Sequence, residues 1–81
     1  MTVTIHLFAH ARELIGADRV TVDVPSGSTV AELRAALTAA FPTLSSLLEC
    51  CAVAVNHDFA DATHTIREND EIAVIPPVSG G

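Results

Sequence analysis

The strongest constraint on how this chain can fold lies between Thr29 and Pro42. Thr29-Val30-Ala31-Glu32 has the form of a capping box, a hydroxyl followed three residues later by a carboxylate, and it marks a helix start. Val30, Leu33, Leu37 and Phe41 follow at helical spacing, so their side chains share one face. Pro42 stops the helix. The other apolar segments are short and read as strands or single turns. One amphipathic helix among several strands predicts an α+β architecture, with the helix laid over one face of a sheet.

The strands are legible from their alternation. Val3, Ile5 and Leu7 alternate with Thr4, His6 and Phe8, which predicts a half-buried strand over residues 2–9. Ala11-Arg12-Glu13-Leu14-Ile15-Gly16 reads as one helical turn closed by glycine. Val20, Val22 and Val24 predict a second strand ending at Pro25, antiparallel to the first across a wide connection. After the main helix, residues 44–49 predict a further short turn of helix. Residues 50–55 form a continuous apolar run suited to a buried strand. Asn56-His57-Asp58 reads as a turn, and from Phe59 the sequence allows a short strand or a loop. Glu68-Asn69-Asp70 is a turn in which Asn69 can take positive φ, and residues 71–75 form the last strand. A right-handed crossover through the helix lets later strands join the sheet beside the first. The arrangement that satisfies this order is the β-grasp, a mixed sheet of four to five strands with the first and last parallel at its centre.

Composition narrows the function. The 81 residues predict one domain over residues 1–81, and a chain of this size buries only about 60–65% of its unfolded surface. Hydrophobic residues at 49% against 17% charged are ample for a core and argue against disorder. No apolar run approaches the roughly 18 residues of a membrane span, and no signal peptide is visible, so the cytoplasm is the expected location. A net charge of −6, with four arginines and no lysine, argues against nucleic-acid binding and suits a basic partner surface. Without lysine there is no side-chain amine for a Schiff base. The adjacent Cys50-Cys51 pair does not match a disulfide framework or a metal site, and predicts two buried strand thiols.

No catalytic apparatus is visible. Nucleophilic catalysis needs a hydroxyl or thiol held by a base, and no such signature is present. His6, His10, His57 and His64 are scattered and lack metal-ligand spacing. No phosphate-binding glycine motif occurs, and Asp70-Glu71 reads as an exposed turn. Attention therefore moves to Ile75-Pro76-Pro77-Val78-Ser79-Gly80-Gly81. Two prolines end the last strand, and a flexible tail of residues 78–81 is expected beyond them. Four residues past Pro77 reach at most roughly 13–14 Å. Gly80 and Gly81 lack a Cβ, so the tail can enter a slot too narrow for other residues. At its tip is the α-carboxylate of Gly81. A free carboxylate, with a pKa of about 3.3–3.7, does not acylate unaided. ATP can convert it to an acyl-adenylate, and sulfur transfer then yields a thiocarboxylate, a soft anionic nucleophile.

At these residues the chain resembles the small subunits of molybdopterin synthase, which are ubiquitin-like sulfur carriers. The resemblance runs through Leu7-Phe8-Ala9, Arg12-Glu13-Leu14-Ile15-Gly16, Thr29-Val30 with Leu33-Arg34, Ala54-Val55-Asn56 and Asp70-Glu71-Ile72-Ala73, and it ends on the Pro-Pro-Val-Ser-Gly-Gly tail. It implies that an ATP-dependent activating enzyme adenylates Gly81 and that a sulfur relay makes the thiocarboxylate. Val78, Ser79, Gly80 and Gly81 would then insert into the large synthase subunit, which supplies the catalytic residues. Sulfur passes there to cyclic pyranopterin monophosphate, within a heterotetramer built on a large-subunit dimer. No cofactor or metal is expected on this chain, and ATP is used by the activating enzyme. Phe8, Ile75, Pro76 and Pro77, with Val78, are the candidate partner contacts. Asn69 and Ile75 stand where relatives commonly have a glycine and an aromatic. The alternatives are a carrier for thiazole synthesis or tRNA thiolation, a protein modifier joined through Gly81, and a plain binding domain.

Overall fold

Alternation and capping both take effect near the places where the sequence puts them. The computed structural model describes residues 1–77. In chain order it contains β1 (Thr2–Leu7), α1 (Ala9–Ile15), β2 (Arg19–Asp23), α2 (Val30–Ala40), a 3-10 turn (Pro42–Leu44), α3 (Ser45–Leu48), β3 (Ala52–Val55), β4 (Asp58–Ala60) and β5 (Ile72–Ile75). The strands form one sheet in the order β2-β1-β5-β3-β4. β1 is antiparallel to β2 and parallel to β5, while β3 is antiparallel to both β5 and β4. This is the β-grasp, with five strands and the first and last parallel inside the sheet.

One face of that sheet is the core. Ile5 and Leu7 of β1, Val53 and Val55 of β3, and Ile72 and Val74 of β5 meet Val30, Leu33 and Leu37 of α2 in a single buried cluster. The helix begins as expected: Thr29 accepts from the Glu32 backbone N–H, and Glu32 accepts in return from the Thr29 N–H at 3.0 Å. The next donors are also satisfied, because the Val30 and Ala31 N–H groups donate to the carbonyls of His64 and Ala62 at 3.0 and 3.1 Å. Residues 61–66, which carry no pattern in the sequence, therefore stopper the start of α2 and bury Ile66 in the core.

Two boundaries differ from expectation. β1 stops at Leu7, because Phe8 is the residue before α1 and Ala9 turns at φ 51. Gly16 does close α1, in the left-handed conformation at φ 78. The expected pair of buried strand thiols is not found: Cys50 is exposed, Cys51 is buried, and both precede β3. The reason lies in the preceding helix. The N–H groups of Cys50 and Cys51 donate back to the carbonyls of Leu47 and Leu48, so the chain is still unwinding from α3. Arg34 of α2 fixes this connection by donating to the carbonyls of Leu48 at 2.7 Å and Cys51 at 2.6 Å. Burial pushes the Cys51 thiol above its ordinary pKa, which keeps it protonated and inert.

Candidate functional site

Residues paired across a ladder share a face, so register decides what the uncovered side of the sheet displays. His6 pairs with Arg19 and Ala73, Ala73 pairs with Ala54, and Ala54 pairs with Phe59. A single row therefore crosses all five strands on the face away from α2. Two alanines at its centre keep the floor low, and Phe59 rises from the edge strand at 75% exposure. Two residues further along β5, Ile75 lies half-buried beside Phe8, which is 49% exposed. Together these residues line a shallow groove of about 250 Å³ with an apolar floor and a polar end.

The polar end is built by a turn. Asn56 and His57 take φ 52 and φ 73, the two left-handed residues of a tight hairpin between β3 and β4. Asn56 then brackets Glu71: its N–H donates to the Glu71 carbonyl at 2.8 Å, and its Oδ1 accepts the Glu71 N–H at 2.9 Å. Its Nδ2 donates to Asp70 Oδ1 at 3.0 Å. The Arg67 backbone N–H donates to Asp70 Oδ2 and, with Asn56, holds that carboxyl below the usual carboxylate range. Above this frame, His57 Nε2 lies 2.8 Å from Glu71 Oε2, and His6 Nε2 lies 3.7 Å from Glu71 Oε1. Asn69 takes the positive φ expected of it, at 71°.

The opposite end of the groove is the exit. β5 delivers Ile75 at the groove wall, then Pro76 half-buried and Pro77 exposed. Phe8 and Ile75, named from sequence as partner contacts, are thus brought together and face the same side, with the two prolines following. Val78, Ser79, Gly80 and Gly81 lie outside the described residues. A wider and more polar recess of about 640 Å³ lies on the other side of Phe59, bounded by His64, Arg67 and Asp58. It is larger, but it leads away from the exit strand, so the apolar groove is the better candidate. Sequence reasoning missed Phe59, Ala54, Ala73, His6, His57 and Glu71 as parts of one surface. The usable signal was their shared register, which needs the strand pairing.

Among the described residues, no group of three or more His, Cys, Asp or Glu is placed to hold a metal ion. No described helix is long and apolar enough to cross a membrane. The fold and the surface together define a ubiquitin-like β-grasp domain that presents an uncovered apolar sheet face beside its last strand. The chain belongs to the ThiS family, whose family model matches residues 5–81. A Dictyostelium discoideum protein named molybdopterin synthase sulfur carrier subunit is 45% identical, covering 95% of this chain and 93% of its own length. An Arabidopsis thaliana protein of the same name is 38% identical over 98% of this chain and 82% of its own. Among solved structures, SAMP1 from Haloferax volcanii matches with a TM-score of 0.89 and 32% identity over all of both chains. A chain from the complex of subunits 1 and 2 of molybdopterin-converting factor from Helicobacter pylori matches at 0.72 and 27%, again over all of both chains.

Proposed function

We propose that this chain is the sulfur carrier subunit of a molybdopterin synthase. The Gly81 carboxylate attacks the α-phosphorus of ATP on an activating enzyme and displaces pyrophosphate. Hydrosulfide then attacks the acyl carbon, AMP departs, and the terminus is left as a thiocarboxylate. Inside the large synthase subunit that sulfur bonds to a carbon of cyclic pyranopterin monophosphate, and water then attacks the Gly81 acyl carbon, breaking its C–S bond and restoring the carboxylate. The carrier contributes no catalytic side chain and binds no cofactor of its own; ATP belongs to the activating enzyme, and the setting is the cytoplasm.

The observation that carries this reading is continuity: Ile75 lines the apolar groove, and Pro76 and Pro77 follow it directly in the chain. A partner that docks on Phe8, Phe59 and Ile75 meets the chain end at a fixed origin. The four residues beyond Pro77 then supply a reach of at most roughly 13–14 Å. A rigid origin with a short tether holds the reacting atom at high effective concentration in the partner's site. Relatives named sulfur carrier subunits, at 38% and 45% identity, support the same assignment, as does a neighbour solved as a complex of the two subunits.

Intact mass spectrometry tests it. After incubation with an activating enzyme, ATP and a sulfur source, the chain should gain the difference between one sulfur and one oxygen. Deletion of Gly81 should abolish the gain and all transfer while the fold persists; transfer retained by that variant would refute the tail mechanism. The modifier alternative is favoured by two solved structures of small archaeal modifier protein 1 (SAMP1) from H. volcanii, at 32% and 30% identity. Covalent adducts through Gly81 on target lysines, found by peptide mass spectrometry, would promote it.

A further inference from the structure

His57 takes φ 73 at the second central position of the β3–β4 turn, where glycine carries no steric cost. Its side chain is exposed, so packing does not explain a residue with a Cβ there. What the turn achieves is to bring His57 Nε2 to 2.8 Å from Glu71 Oε2. The Glu71 backbone is held on both sides by Asn56. The Glu71 backbone is thus fixed and its carboxylate has His57 beside it, yet the side chain stays 49% exposed at the end of an apolar groove. Among the described residues lining that groove it is the one carboxylate.

A groove of this form suits a side chain that is apolar along its length and cationic at its tip. Methylenes rest on the Ala54–Ala73 floor, as long basic side chains do on apolar surface. Arginine fits better than lysine, because its planar and weakly hydrated guanidinium can pack on the ring of Phe59 and still donate to a carboxylate. Glu71 Oε1, 3.7 Å from His6, has acceptor capacity to spare. The sign agrees with the whole chain, whose net charge of −6 suits a basic partner surface. We infer that Glu71, positioned by His57, receives an arginine side chain of the large synthase subunit laid along the Ala54–Ala73 floor past Phe59. The inference rests on reading this face as the docking surface.

The test measures affinity for the large synthase subunit by calorimetry across a salt series. Glu71→Gln should weaken binding about tenfold at low salt. The deficit should close near 1 M salt, where charges are screened beyond about 3 Å. His57→Gly should keep or raise the melting temperature, since it relieves the left-handed backbone, while lowering affinity about threefold with the same salt dependence. Phe8→Ala and Phe59→Ala serve as controls on the surface itself. If those two weaken binding while Glu71→Gln matches wild type at every salt, the arginine contact is overturned and the docking surface stands. If neither phenylalanine matters, the docking reading falls and takes the inference with it. A His57→Gly variant that loses stability but no affinity would overturn the positioning role.

Discussion

The two faces of β5 divide the molecule's work between neighbouring residues. Ile72 and Val74 point under α2 and are 0% and 2% exposed, while Ala73 and Ile75 point the other way and line the open groove. β3 repeats the division, with Val53 and Val55 in the core cluster and Ala54 on the groove floor. The covered face is large, β-branched and shape-filling. The open face is small at its centre and aromatic at its rim. Within β3 and β5 the side chains on both faces are apolar, so there the faces differ in volume and in what covers them, not in hydrophobicity. A strand can therefore serve folding on one side and leave an open apolar surface on the other without a polar residue separating the two.

That division can be broken one residue at a time. Ile72→Ala removes three carbons from a fully buried site and should cost about 2–5 kcal/mol of stability in urea denaturation. The molecules that remain folded should bind the partner as before. Ala73→Arg, its immediate neighbour, should do the reverse. A charge placed on the groove floor should weaken partner binding by at least about tenfold. Its melting temperature should shift little, because Ala73 lies outside the buried core. Equal loss of stability in both variants would erase the contrast between the faces. The smallest effect belongs to the polar end of the open face. The Asp70 carboxyl is held low by the Arg67 N–H and by Asn56, so its contribution is present above about pH 4 and fades as pH falls through the lowered native value. Thermal melts of Asp70→Asn should fall short of wild type at neutral pH and converge with it in acid. A gap that stays constant with pH would count against that contact.

What the sequence made legible follows the same division. In β1 and β2 the outward positions are Thr4, His6 and Thr21, so period-two alternation stood out and both strands were readable. In β3 and β5 the outward positions are Ala54 and Ala73, as apolar to a pattern search as the valines they alternate with. The strands were found, but their open face was not. Helix α2 was readable because its cap uses side chains, Thr29 and Glu32, that a sequence displays. Its second support, the carbonyls of Ala62 and His64, is backbone alone and leaves no trace in residue type. Asn69 was readable as a left-handed residue; His57 was not, because its conformation is set by the β3–β4 hairpin, whose register needs the strand pairing. Phe8, Ile75, Pro76 and Pro77 could be named in advance because they flank the exit. Phe59 could not, because it joins them only through the Ala54 pairing.

β5 is hydrogen-bonded along both flanks, to β1 on one side and β3 on the other. Tension applied through the tail, as when the chain end is drawn out of a deep slot, runs along that strand's axis. It loads both ladders in shear, so many bonds share the force and none is peeled open alone. The strand that leads to the terminus is thus also a mechanical anchor of the domain.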